Sequence, residues 1–118
     1  MKYALKLNTG LQIDFENEGL DLKDFASQLN TNELLFTSVG GSFLNKHSIV
    51  YLKESEQEEK DYAYEMTLNN GEKYVLNTEE EIESNEFLAS LNSNQEYFVY
   101  VAGIIIQKHM LNTLIKLK

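Results

Sequence analysis

Histidine is the first residue type to ask about, because imidazole titrates near neutrality and ligates metals. The chain has two histidines, and each directly follows a lysine, in Asn45-Lys46-His47 and Gln107-Lys108-His109. A two-histidine metal site still needs carboxylate ligands, and no Asp or Glu stands at a spacing that points to ligation. Neither a metal nor any other cofactor is therefore expected. There is no cysteine, so thiolate catalysis and thiolate metal binding are excluded. Nineteen acidic residues admit a carboxylate pair, but none lies in an apolar stretch that would raise its pKa. Gly40-Gly41 falls between two strand-like segments, without the following helix that a phosphate-cradling loop requires. These residue types predict a protein that is not an enzyme.

Binding chemistry is better represented. Seven Tyr and six Phe occur with no Trp, and aromatics beside lysines on strands are what single-stranded RNA recognition uses. Lys46, Lys108, Lys116, Tyr51 and Tyr100 are the candidate RNA-contacting residues. Lys2, Lys6 and Lys118 would join them in one basic edge if the first and last strands pair. Charge points another way. All ten basic residues are lysines, and the formal net charge is -9. The missing arginines count against base-specific duplex reading. The excess is concentrated: residues 54–96 carry thirteen acids against two lysines, whereas residues 97–118 carry three lysines and no acid. Glu56, Glu58, Glu59, Glu80 and Glu81 are accordingly candidates for an acidic interface with a basic protein.

The elements that position these residues emerge from comparing the chain with itself. Displaced by 62 positions, Leu20–Leu52 and Ile82–Leu114 share ten identities in thirty-three columns. They include Phe25/Phe87, Leu29/Leu91, Asn30/Asn92, Phe36/Phe98, Val39/Val101, Gly41/Gly103, Lys46/Lys108 and His47/His109. Displaced by 61, Tyr3-x-Leu5-x-Leu7-Asn8-x-Gly10 falls on Tyr64-x-Met66-x-Leu68-Asn69-x-Gly71. Alternation around Asn8-Thr9-Gly10 and Asn69-Asn70-Gly71 predicts a β-hairpin at the start of each copy. Asp21 then caps a helix whose Leu22, Phe25, Ala26 and Leu29 share one face. In the second copy, Thr78 and Glu81 form a capping box ahead of Ile82, Phe87, Leu88 and Leu91. Asn30 and Asn92 suit a left-handed helix end. Strands follow at Leu34–Val39 and Tyr97–Val101, then a tight turn at Gly41 or Gly103, then long strands at Phe43–Leu52 and Ile104–Leu117.

The expected organisation is a single α+β domain over residues 1–118, with repeat 1 at about 2–53, an acidic linker at 54–61 and repeat 2 at about 62–118. Two tandem β-β-α-β-β repeats would pack about a pseudo-twofold axis into one bent mixed sheet or partly closed barrel with two helices. Because no proline protects the sheet edges, lysines, glutamates or formation of a homodimer must do so. No stretch nears the ~18 apolar residues of a membrane span, and the first residues alternate instead of forming a signal-peptide core, so a cytoplasmic protein without a membrane partner is expected.

The arginine-free, Asn-, Lys- and Glu-rich composition has the style of a low-GC Gram-positive bacterium or its plasmids. With the Leu34-Leu35-Phe36-Thr37-Ser38-Val39-Gly40-Gly41 stretch and the Asn45-Lys46-His47-Ser48-Ile49-Val50-Tyr51-Leu52 segment, the chain resembles the small PrgU-like regulatory proteins of enterococcal conjugative plasmids. That resemblance implies a PUA-like fold and a cytoplasmic regulator that limits production of a toxic surface protein at the RNA level. The expected function is thus a small non-enzymatic regulator contacting RNA. Its alternative is an acidic protein-binding module, or an inhibitor that mimics nucleic acid. Converging lysines would favour the first, and converging acids the second.

Overall fold

The computed structural model describes residues 1–31 and 35–118. The chain runs β1 (Lys2–Leu7), β2 (Gln12–Glu16), α1 (Leu22–Leu29), β3 (Phe36–Val39), β4 (Ser42–Asn45) and β5 (Ile49–Glu54). It continues through β6 (Tyr62–Leu68), β7 (Lys73–Thr78), α2 (Ser84–Asn92), β8 (Phe98–Val101), β9 (Ile104–Gln107) and β10 (Leu111–Lys116). Leu34, which the sequence places at the start of β3, and Asn32 lie outside the described residues. The class is α+β. Among the described residues every strand pairing is antiparallel, in sheets ordered β2-β1-β5-β9-β8, β10-β6-β7 and β3-β4. The single mixed sheet is thereby corrected to three antiparallel ones, and they do not close into a barrel.

The turns follow from their residues. Gly10 and Gly71 take φ of 94° and 91°, and each donates its N–H to the last residue of the preceding strand, Leu7 or Leu68. A left-handed third residue is what such three-residue hairpins need. The second hairpin of each half turns on Gly40-Gly41 or Ala102-Gly103, all four with positive φ. The two long final strands of the sequence reading are each broken by a 3₁₀ turn, at Lys46–Ser48 and Lys108–Met110. Asn45 starts the first one by accepting the His47 N–H on Oδ1 at 2.9 Å. This break lets β9 bond to β8 and β5 while β10, a few residues later, bonds to β6 in another sheet.

Helix α1 starts as expected, with the Asp21 carboxylate accepting from the Asp24 N–H, and it buries Leu22, Phe25, Ala26 and Leu29. Helix α2 does not begin with the Thr78 box. Thr78 is still paired with Tyr62 at the end of β7, so Glu83 caps the helix instead, accepting from the Glu86 N–H. Nor do the asparagines turn left-handed: Asn30 keeps right-handed backbone angles, and Asn92 lies within α2, which Ser93 ends in extended geometry.

The halves meet along β5, whose Val50 and Tyr51 enter an apolar cluster with Met66, Leu68 and Leu76 of the second half. Strand β9 pairs with β5, with Ile106 opposite Tyr51, Ile105 opposite Leu52 and Ile104 opposite Lys53. Phe98 and Ile105 from the second half thereby enter the apolar cluster of the first, against Leu22, Phe25, Leu29 and Leu52. The cluster of the second half also holds Val101 and Ile106. The expected pseudo-twofold packing would pair β4 with β10 in the same way, yet among the described residues β4 bonds only to β3.

Candidate functional site

The two Lys-His turns place their lysines alike. Lys46 is 6% exposed, and its ammonium donates to the Thr31 carbonyl at 2.8 Å. Lys108 donates to the Ser93 carbonyl. Both carbonyls lie where a helix has just ended, and a cation there meets the negative end of the helix dipole. The Lys46/Lys108 identity has a structural reason, and Lys46 is not available to a nucleic-acid backbone. His47 and His109 converge on one ring, that of Tyr97, each with centroids 5.1 Å from it. Among the described residues no three His, Asp, Glu or Cys side chains gather in a way that would hold a metal.

The other proposed RNA contacts separate. Tyr51 is buried under the Tyr74 ring, centroids 5.0 Å apart. Tyr100 stays exposed on β8, and burial of part of its ring, with Asp21 and Glu54 nearby, raises its phenol pKa. Lys116 is exposed but ion-paired with Glu81, which raises its pKa, and it lies 5.4 Å from the Tyr62 ring centre. Lys118 pairs with Glu59 at 2.5 Å, and that contact lowers the Glu59 pKa. The basic edge does not form, because β1 and β10 belong to different sheets. The chain end instead lies against acidic side chains.

The acids do converge. Glu54, Glu56 and Glu58 line a cleft of about 660 Å³ with Glu79 and Lys60. Glu79, Glu80, Glu81, Glu83 and Glu86 line a second, of about 690 Å³, that shares Lys60, Asn77, Glu79 and the Ala102-Gly103 turn with the first. Residues from the linker, from the β7–α2 connection and from α2 thus meet around one hairpin tip. Among the described residues, only Glu81 of these acids is ion-paired; Glu59, paired with Lys118, lines neither cleft, and Lys2 and Lys23 join Lys60 among the lining residues, leaving the carboxylates in excess.

Lys53 is a residue that sequence reasoning passed over. Its ammonium lies 4.8 Å from the Tyr74 ring centre and 5.7 Å from that of Tyr51, an arrangement in which the ring faces attract a cation. Burial lowers the Lys53 pKa. Tyr51 and Lys53, two apart on β5, share a face, and that much was legible. Tyr74 comes from another sheet, and nothing in the sequence marks the meeting. No family model, curated protein or solved structure matches the chain.

Proposed function

We propose that the chain consists of two copies of one β-rich unit and acts as a non-enzymatic protein-binding module, whose acidic clefts receive a basic segment of a partner protein. The observation that carries this reading is the convergence of Glu54–Glu58 with Glu79–Glu86 around the Ala102-Gly103 turn. Several unpaired carboxylates around low-dielectric walls focus a negative potential, which draws in lysine- and arginine-rich chains and repels phosphate. The lysines that would have held RNA are spent on helix-end carbonyls and on Glu59 and Glu81. An effect on a toxic surface protein, as the PrgU-like resemblance implies, would then pass through a protein partner, with a cytoplasmic nucleic-acid-binding protein fitting the charge best.

The test is a fluorescence titration with a labelled lysine-rich peptide and, separately, a labelled single-stranded RNA oligomer. The peptide should bind, weaken with added salt, and lose binding to a variant carrying Glu56→Gln, Glu58→Gln, Glu79→Gln and Glu80→Gln. Tighter binding of RNA than of peptide would return the assignment to the RNA-contacting regulator.

A further inference from the structure

In the first half of the chain, the space between α1 and β5 is filled by the β8–β9 hairpin. Four contacts fix it there. Strand β9 extends the sheet from β5. Phe98, 1% exposed, and Ile105, fully buried, turn toward α1. The Asn30 side chain bonds the backbone of Tyr97 and Phe98. The Gln107 amide donates to the carbonyls of His47 and Ile49 at 3.0 and 2.9 Å.

The corresponding space in the second half is open. Among the described residues, strand β10 ends its sheet with one edge unpaired. Helix α2 buries no residue fully, and its Leu88 is 54% exposed. Between them runs a groove of about 880 Å³, whose apolar lining includes Phe87, Leu88, Leu91, Leu111 and Leu114. The hairpin that would match it, β3–β4, carries the complementary feature. One face, Val39 and Leu44, packs into its own half, as Val101 and Ile106 do in theirs. On the other face, Phe43 and Phe36 are 85% and 58% exposed, although their counterparts at the 62-residue displacement, Ile105 and Phe98, are core residues.

We infer that the α2–β10 groove is the docking site for the β3–β4 hairpin of a second copy of this chain, repeating the contact that β8–β9 makes with α1 and β5. By the same register, Phe43 would lie opposite Leu114, Leu44 opposite Thr113 and Ser42 opposite Ile115. Asn92 would take the backbone of Leu35 and Phe36, and the Asn45 amide the carbonyls of His109 and Leu111. Each copy offers one hairpin and one groove, so the smallest closed assembly is a twofold dimer that uses both pairs. Docking also removes the two open sheet edges, β4 and β10, that the missing prolines leave unprotected. This inference does not depend on the acidic clefts.

The experiment is sedimentation velocity over a concentration series reaching about 1 mM, the weak limit of specific association. It compares the wild-type chain with Phe43→Glu, which spoils the hairpin, and Leu88→Glu, which spoils the groove. Both positions are exposed, so far-UV circular dichroism and, in dilute protein where the wild type is monomeric, the urea midpoint should stay at wild-type values. The wild type should associate and each variant alone should be monomeric. An equimolar mixture of the two should form a heterodimer, since Phe43→Glu keeps its groove and Leu88→Glu keeps its hairpin. A wild type that stays monomeric throughout, association that persists in either folded variant, or a mixture that does not pair would each overturn the inference.

Discussion

Asn30 and Phe98, sixty-eight residues apart, are joined as two paired strands would be: Asn30 Oδ1 accepts the Phe98 N–H and Asn30 Nδ2 donates to the Phe98 carbonyl, both at 2.8 Å. The same Oδ1 accepts from Tyr97 at 2.8 Å, so one side chain satisfies the free edge of β8 and ties it to the end of α1. Asn30→Ala should cost about 2–3 kcal/mol, because it leaves partly buried backbone groups without partners. Asn92→Ala, exposed at the matching place on α2, should cost less than about 0.5 kcal/mol in dilute protein. Urea denaturation of the two variants side by side measures the difference.

Gln107 is 5% exposed and reaches two carbonyls with a single amide nitrogen. Gln107→Leu should destabilise by about 1–3 kcal/mol through the unpaired acceptors. Gln107→Glu should be worse at neutral pH, since it sets a carboxylate against those same oxygens. Part of its loss should return as the pH falls and the introduced acid gains a proton to donate, which a urea midpoint followed against pH will show.

The turn glycines should differ although both have positive φ. A Cβ on Gly40 would sit 2.7 Å from Cβ of Phe15, whereas one on Gly41 would meet nothing within 4 Å. Gly41→Ala should therefore cost only the left-handed strain, about 1 kcal/mol. Gly40→Ala should cost about 1–3 kcal/mol more, because it also displaces Phe15, and thermal unfolding should rank the two in that order.

Stability should fall at high pH. The phenol of Tyr74 is raised by burial first and by its hydrogen bond to Glu72 second, and burial also raises Tyr51 and Tyr3. Folded phenols that hold their protons more tightly than unfolded ones contribute stability that is complete below about pH 10 and is lost as pH rises through the folded values. Lys53 opposes this, since its lowered pKa makes its burial penalty fade as the ammonium deprotonates. With Tyr100 also raised, four such phenols outweigh one amine, and Tyr74→Phe should make the alkaline decline in urea midpoint shallower.

Much of the fold was legible because it rests on local signals. Alternation and Asn-x-Gly located both opening hairpins, and Asp21 located α1. The failures arise where contacts are decided between segments apart in the chain. Thr78 reads as a helix cap until Tyr62 holds it in a ladder. Lys46 reads as a surface cation until the Thr31 carbonyl takes its ammonium. The acidic runs were visible as composition, but their meeting at the Ala102-Gly103 turn depends on where β8–β9 docks.

If the acidic clefts bind a basic protein, that partner should come out of the cell with this chain. The direct measurement is a pull-down of the tagged chain from a lysate of its own organism, with and without RNase, alongside a variant carrying Glu56→Gln, Glu58→Gln, Glu59→Gln, Glu80→Gln and Glu81→Gln. A stoichiometric basic protein, identified by mass spectrometry, should survive RNase and disappear with the neutralised variant. Enriched transcripts that vanish with RNase, or a partner retained by the neutralised variant, would contradict binding through the clefts.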